Sequence, residues 1–294
     1  IAKAKAVGAE GINVVGMCCS GNEQLIRVGL KHAGNFVMAD AAVITGVVDG
    51  FMVDVQCIMS CIVETTKCYH TKFFTTNYRC QIDGAEHIEF EGMHGAREAG
   101  EKLMTESIEN FANRDKSRIQ VPTKTEKMIG GFSHETINYM LGGSFRSSYT
   151  PLNENIINGR IRGIGGVVGC NNARTKHNEA HIAVVKELIK NDVIVLTTGC
   201  NAIACATEGL LTPETAAVYC GPGLAEVCET VGIPPVLHLG SCVDNSRILL
   251  ALTEMVKAGG LGNDISDLPA AGSAPEWMSE KAISIGHYFV ASGV

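Results

Sequence analysis

A chain of 294 residues that is 46% apolar, 19% charged and 5% aromatic can bury one large core or two ordinary ones, which excludes disordered and fibrous classes. Its 24 Lys and Arg against 31 Asp and Glu leave a net charge of -7, with neither a basic cluster nor an aromatic-rich stretch for stacking bases, so no nucleic-acid partner is expected. The longest uncharged run, 193–207, falls short of the roughly 20 apolar residues a bilayer span needs, so no membrane span is expected either.

The chain opens at Ile1 without an initiator Met, inside a helix-like stretch, and an upstream piece is therefore expected. Short Val- and Ile-rich runs then alternate with amphipathic stretches, the pattern of parallel sheets covered by helices. In chain order the pattern predicts a strand at 12–15, a helix at 22–31, strands at 35–38, 51–55 and 72–75, and a helix at 96–112. Polar, turn-prone residues at 144–155, Pro151 among them, read as a linker. Beyond it come a strand at 166–169, a helix at 178–190, a strand at 193–197, a helix at 224–231, a strand at 236–239 and helices at 245–258 and 276–287. The fold class is α/β, with two Rossmann-like parallel-sheet domains at 1–149 and 150–294.

The chain carries 12 cysteines, more than ordinary packing explains, without the spacing of a secreted disulfide framework and without a CxxC pair. Five fall where a strand ends and a helix or turn begins: Cys19 in V-V-G-M-C-C-S-G-N-E, Cys57 in V-D-V-Q-C-I-M, Cys170 in V-V-G-C-N-N, Cys200 in V-L-T-T-G-C-N, and Cys242 in V-L-H-L-G-S-C-V-D-N. Carboxyl ends of parallel strands line the ligand crevice of such folds, so thiols scattered in sequence can converge there. Helix starts just after them offer N–H groups that favour thiolate and suit an anionic metal-sulfide cluster. Ordinary buried cysteines are the alternative. Cys61, Cys68, Cys80, Cys205, Cys220 and Cys228 lie outside this pattern and read as small buried thiols. His177 and His181 stand one helical turn apart but lack the H-E-x-x-H order, so surface or packing roles are favoured. The G-I-G-G-V-V-G stretch misses the dinucleotide spacing, and Ser20 and Ser241 have no neighbouring base that would define a hydrolase.

Taken together, the cysteine segments with G-A-E-H-I-E-F, K-E-L-I-K-N-D-V-I-V-L-T-T-G-C-N-A, P-P-V-L-H-L-G-S-C-V-D-N-S-R, D-I-S-D-L-P and A-P-E-W-M-S-E-K-A-I-S-I-G resemble the catalytic subunit of anaerobic nickel-iron-sulfur carbon monoxide dehydrogenase, in the family's order across nearly the whole chain. The resemblance implies a nickel-iron-sulfur cluster of the Ni-4Fe-4S type at the strand ends, between the two domains. Its cysteine ligands would be Cys19 and Cys57 from 1–149, and Cys170, Cys200 and Cys242 from 150–294. Cys19 would hold the iron outside the cubane and Cys242 would be shared with nickel. The separation of Cys19 from Cys57 matches the family, which favours it over Cys18, the alternative ligand. Lys281 corresponds to the family's active-site lysine, a cation stabilising the charge that grows on the CO2 oxygens, and Ile285 to the residue that crowds the substrate position. The implied reaction is reversible oxidation of CO with water to CO2, two protons and two electrons. Also implied are a homodimer, a ferredoxin-like electron acceptor, an acetyl-CoA synthase partner in some members, and a cytoplasmic location. The family's histidine ligand and additional 4Fe-4S relay clusters are expected before residue 1. The rival readings are a hybrid-cluster, hydroxylamine reductase-like protein with an iron-sulfur-oxo cluster, in which glutamate replaces some cysteines, and a non-catalytic paralogue that stores metal or passes electrons.

Overall fold

The structure is a computed structural model describing residues 1–54, 59–146, 148–278 and 280–294. In chain order its first elements are α1 (Ala2–Ala6), α2 (Cys18–Val28), α3 (Ala39–Ile44), β1 (Gly50–Val53), α4 (Ile62–Lys67), β2 (Lys72–Thr75), β3 (Glu86–His87) and α5 (Gly92–Asn110). There follow α6 (His134–Arg146), α7 (Thr150–Ile157), β4 (Gly163–Val167), α8 (Glu179–Lys190), β5 (Val193–Thr197), α9 (Gly199–Thr207) and α10 (Thr215–Tyr219). The last are α11 (Pro222–Val231), β6 (Val236–His238), α12 (Ser246–Ala258), β7 (Ala270–Ser273) and α13 (Glu280–Ala291). Every pairing between these strands is parallel, so the α/β class with parallel sheets holds.

One compact unit comprises Ile1–Val15 and Val37–Lys124. Its strands lie in the order β1-β2-β3, with Phe51 opposite Phe73 and Thr75 opposite His87. The Phe51 and Phe73 rings stack with centroids 5.5 Å apart. Phe74, Ile88 and Ala99 form the core, and α5 brings Ala99 onto the sheet. Asp49 pins the edge of this unit by accepting hydrogen bonds from Arg114 and His70.

The other unit comprises Gly16–Phe36 and Thr125–Val294, around a sheet of order β6-β5-β4-β7. Both faces of a parallel sheet are covered, so its inner strands read as unbroken small or apolar runs. All of β4 (G-I-G-G-V) is buried, as is β5 beyond its first residue. Ile164, Val167, Ile194, Leu196 and Leu237 pack with Leu210, Leu224, Leu252 and Met255 from the surrounding helices and turns. Each such side chain contributes roughly 2 kcal/mol by leaving water.

The domain division differs from the expected 149/150 boundary. Residues 16–36, and Cys19 with them, belong to the second unit: Gly16 bridges His32, and the Glu23 carboxylate takes both Arg247 nitrogens at 2.8 and 3.1 Å. Residues 125–149 also join it, burying Phe132, Ile137, Leu141 and Tyr149 in its core. The expected linker at 144–155 is largely helix, with Pro151 in the first turn of α7, where its missing N–H has no partner to lose. The expected strand at 12–15 is irregular, with Val14 and Val15 about half exposed, and 35–38 contains a 3-10 turn, Phe36–Met38. Helix α1 falls in the helix-like opening stretch, whereas strands β3 and β7 and helices α3, α4, α6, α7, α9 and α10 arise where no element was expected. Cys61 and Cys68 are exposed rather than buried. No helix among the described residues is long and apolar enough to cross a membrane.

Candidate metal centre

The second unit's sheet places three of the five expected cysteines beyond the carboxyl ends of neighbouring strands. Cys170 follows β4, Cys200 follows β5 at the start of α9, and Cys242 follows β6 as the first residue of a 3-10 turn. A fourth, Cys19, enters on α2. All four are buried, and so is Cys18. The Cys19 and Cys242 sulfurs are 3.1 Å apart, and those of Cys18 and Cys200 are 3.8 Å apart. The turns are stitched by backbone: Gly199 N–H donates to Gly240 O at 2.9 Å and Asn201 N–H to Gly169 O at 3.2 Å. The Phe36 N–H points at the Cys200 sulfur at 3.2 Å. Gly199 has φ +65°, and a Cβ there would sit 2.8 Å from the Cys242 Cβ, so the close approach of these two turns requires glycine.

Cys18 sits at φ +51°, an uncommon conformation for a residue with a side chain, and a local network holds it. Its carbonyl accepts from Asn22 Nδ2 at 2.7 Å and from His32 Nε2 at 3.1 Å. Gly34 N–H donates to His32 Nδ1 at 3.2 Å, which fixes the ring proton on Nε2. Burial pushes the His32 pKa down to about 4, against the Cys18 carbonyl that favours the charged ring, so the imidazole is neutral. This strained turn aims two adjacent thiols at two other cysteines. The family resemblance assigns the site role to Cys19, with Cys18 as the alternative.

The remaining expected site residues fall as follows. Lys281 is the second residue of α13 and is half-buried, with Ile285, also half-buried, one turn further along. Cys57 lies outside the described residues. Among the described residues no three Cys, His, Asp or Glu side chains form a ready metal-binding set; the four thiols within reach of one another form two pairs. Burial pushes the thiols of Cys220 and Cys228 up to about 12 and that of Cys205 higher still, so these stay protonated packing residues, as expected. A cavity of about 670 Å³ runs along β4 and β7 beside α8, and no cysteine lines it.

Several residues that serve the site escaped the sequence analysis. His181, read as a surface or packing residue, is fully buried, and its Nε2 donates to the Cys170 carbonyl at 2.8 Å. Asn201 donates to Val167 O at 2.8 Å and to Thr197 Oγ1 at 2.6 Å, fixing the start of α9. For Asn201 the signal is a polar side chain directly after a cysteine at the start of an apolar stretch; His181, 11 residues beyond Cys170, carries none. Among the described residues, Asn22 Oδ1, Asn171 Oδ1, Asn201 Oδ1, Ser241 Oγ and Asn245 Nδ2 are buried without a hydrogen-bond partner. Soft thiolate donors flanked by unsatisfied buried polar atoms fit an iron-sulfur group.

Against known proteins, a family model described as the Prismane/CO dehydrogenase family matches residues 2–294. Carbon monoxide dehydrogenase 1 of Methanosarcina mazei is 53% identical over 291 residues, which is 99% of this chain and 45% of the relative. A nickel-free crystal structure of carbon monoxide dehydrogenase from Thermococcus sp. AM4 is 53% identical with a TM-score of 0.92, covering 99% of this chain and 45% of that one. Carbon monoxide dehydrogenase IV from Carboxydothermus hydrogenoformans is 44% identical with a TM-score of 0.94, covering 100% of this chain and 47% of that one. This chain thus spans about half the length of the relatives it matches. With the family model running along its length and relatives of this identity sharing its fold, the chain belongs to the Prismane/CO dehydrogenase family.

Proposed function

We propose that this protein oxidises CO reversibly, taking CO and water to CO2, two protons and two electrons, at a nickel-iron-sulfur cluster of the Ni-4Fe-4S type held by Cys19, Cys57, Cys170, Cys200 and Cys242. The observation that carries the reading is the convergence of buried thiols from α2 and the ends of parallel strands, with Cys19 and Cys242 sulfurs 3.1 Å apart. When bound, the cluster supplies a soft site for CO, activation of water and an electron sink. The chain's own residues do the rest. The cysteines bind as thiolates, and the burial of Cys19, Cys170, Cys200 and Cys242 excludes bulk water. His32 and Asn22 hold the Cys18 carbonyl and so aim the Cys18–Cys19 turn, while His181 does the same for Cys170. Lys281 supplies a fixed ammonium for the negative charge that grows on the CO2 oxygens, and Ile285 narrows the space left to a ligand.

The same reading makes the whole subunit a cytoplasmic homodimer that passes electrons through further 4Fe-4S clusters to a ferredoxin-like acceptor, alone or with an acetyl-CoA synthase. The test is nickel and iron content together with CO-dependent dye reduction, on the full-length subunit purified anaerobically. Nickel and a turnover that Cys242→Ala abolishes are the expected result. Iron without nickel, and no turnover after nickel is supplied during maturation, would sink the proposal in favour of a hybrid-cluster or non-catalytic protein.

A further inference from the structure

We propose that Glu276 is a positioning residue whose buried carboxylate fastens the loop leading to Lys281 onto the turn that carries Cys170. The importance of those two residues rests on the function proposed above; the contact between their segments does not.

Glu276 is 2% exposed, and a carboxylate is costly to bury unless it is bonded; its Oε1 has no hydrogen-bond partner among the described residues, so its bonding rests on Oε2. Its Oε2 accepts from Asn171 Nδ2 at 3.1 Å and from the Asn172 backbone N–H at 3.4 Å. Both donors belong to the turn just after Cys170, and hydrogen bonds to a charged acceptor are the stronger kind. The neighbouring Trp277 covers the residue just before that cysteine: Gly169 has φ +109°, and a Cβ there would stand 2.9 Å from the Trp277 Cγ. Val168 N–H donates to Ser273 O at 3.0 Å, carrying the β4–β7 pairing one step beyond the strands. The segment 273–277 is thus held along 168–172 by backbone, ring and carboxylate in turn.

From its other side the same turn is fixed by α8 and its N-cap. His181 donates to Cys170 O, and Asn171 Nδ2 also donates to Asn178 Oδ1 at 2.8 Å. Asn178 Oδ1 accepts Asn35 Nδ2 as well, at 3.4 Å, and Asn35 precedes the Phe36 N–H that faces the Cys200 sulfur. Glu276 therefore ends a chain of amides, buried at Asn35 and Asn171 and half-buried at Asn178, that runs past two cysteines, and α13 begins at Glu280, four residues further on. A carboxylate at this position ties the start of the lysine-bearing helix to the cysteine turns.

The experiment compares Glu276→Ala and Glu276→Gln in the full-length subunit, by hydrogen exchange over 168–174 and 274–282 and by steady-state CO oxidation. In E276A both segments should exchange ~10-fold faster or more while the rest of the second unit keeps its protection. Its kcat should fall ~10-fold at unchanged nickel content, with KM for CO within ~2-fold. E276Q keeps an acceptor oxygen for both N–H donors and should restore each readout to within ~3-fold. Exchange unchanged in 168–174, exchange raised equally throughout the unit, or local exchange raised with kcat intact would each overturn the proposal. If E276A does not fold, Asn171→Ala removes one donor and should still loosen 274–282; unchanged exchange there overturns it. A parent protein without CO turnover would sink the functional reading, while the exchange results would still decide the contact.

Discussion

His32 and His238 are both neutral rings of the second unit, His238 fully buried and His32 half-buried. Burial lowers the His32 pKa from 6.5 to about 4, and lowers that of fully buried His238 to about 3, where nearby His32 adds to the effect. The unfolded chain takes up protons on these rings near 6.5 and the folded chain does so only near 4 and 3, so in between the unfolded state binds more protons. Their contribution to stability is complete above about pH 6.5 and is lost as pH falls toward 4 and below. At about 1.4 kcal/mol per pKa unit, His32 alone accounts for about 3 kcal/mol. Glu23 adds a loss only at lower pH: the Arg247 and Arg27 side chains and the Ser241 N–H together outweigh its burial and hold its carboxyl near 2. The denaturant midpoint of the metal-free full-length subunit should therefore fall steadily from pH 6.5 to pH 4, and His32→Gln should flatten part of that slope. A midpoint independent of pH over this window would refute the account. At this scale the sequence was half legible. Thiols at strand ends are a pattern along the chain, which singles out Cys170, Cys200 and Cys242; Cys19 is singled out by the apolar run at 12–15, which forms no strand. The roles of His32, His181 and Glu276 are bonds to carbonyls and amides brought near only by folding, and no spacing encodes them.

Among elements, α2 illustrates what sequence pattern misses. It carries Cys19, but nothing in its periodicity reveals that it docks on the β6–α12 connection of the second unit rather than on the strands that follow it. The docking rests on Arg247, which bonds both Glu23 oxygens, Leu239 O at 2.9 Å and Asp244 at 2.8 Å, with side-chain exposures of 13% for Arg247 and 19% for Glu23. Breaking a largely buried, bidentate pair leaves an uncompensated charge, so Arg247→Met should destabilise the subunit by about 3 kcal/mol or more. Removing both charges in Glu23→Leu/Arg247→Met should recover much of that loss, and the two changes should be non-additive in a double-mutant cycle. Additive losses measured by denaturant unfolding would show that the pair is not what seats α2. Strands β2 and β5 were legible to the residue because their apolar runs are short and bounded by turns. The run at 12–15 looks the same, yet it has no strand partner among the described residues, and Val14 and Val15 remain about half exposed. Strands β3 and β7 are too short or too poor in β-branched residues to announce themselves, and β7, A-A-G-S, exists because β4 offers it an edge.

For the whole molecule, the cysteine turns are a stability question as much as a catalytic one. They combine a positive-φ Cys18, a glycine-only contact at Gly199 and several buried polar atoms without partners. The positive-φ Cys18 and the unpaired buried polar atoms cost of order 1–3 kcal/mol each and persist only where the surroundings or a ligand compensate them. A group that binds these thiols in the folded state and not in the unfolded one stabilises the fold by mass action, about 4 kcal/mol when it is present at a thousand times its Kd. Its binding is also coupled to thiol deprotonation, so the gain should shrink as pH falls. Loading the metal-free full-length subunit with iron, sulfide and nickel under anaerobic conditions should therefore raise its Tm by roughly 10 °C, given about 2–4 °C per kcal/mol for domains of this size. Cys170→Ser and Cys242→Ser should each lose most of that rise, whereas Cys205→Ser and Cys228→Ser, whose thiols burial keeps protonated, should lower the Tm of loaded and metal-free protein alike. Equal loss of the metal-induced rise in all four variants would mean that strand-end thiols are no more involved in metal binding than those in the core. A loss of the metal-induced rise confined to the Cys170 and Cys242 variants would tie the stability of the fold to the place in the sheet where those thiols emerge.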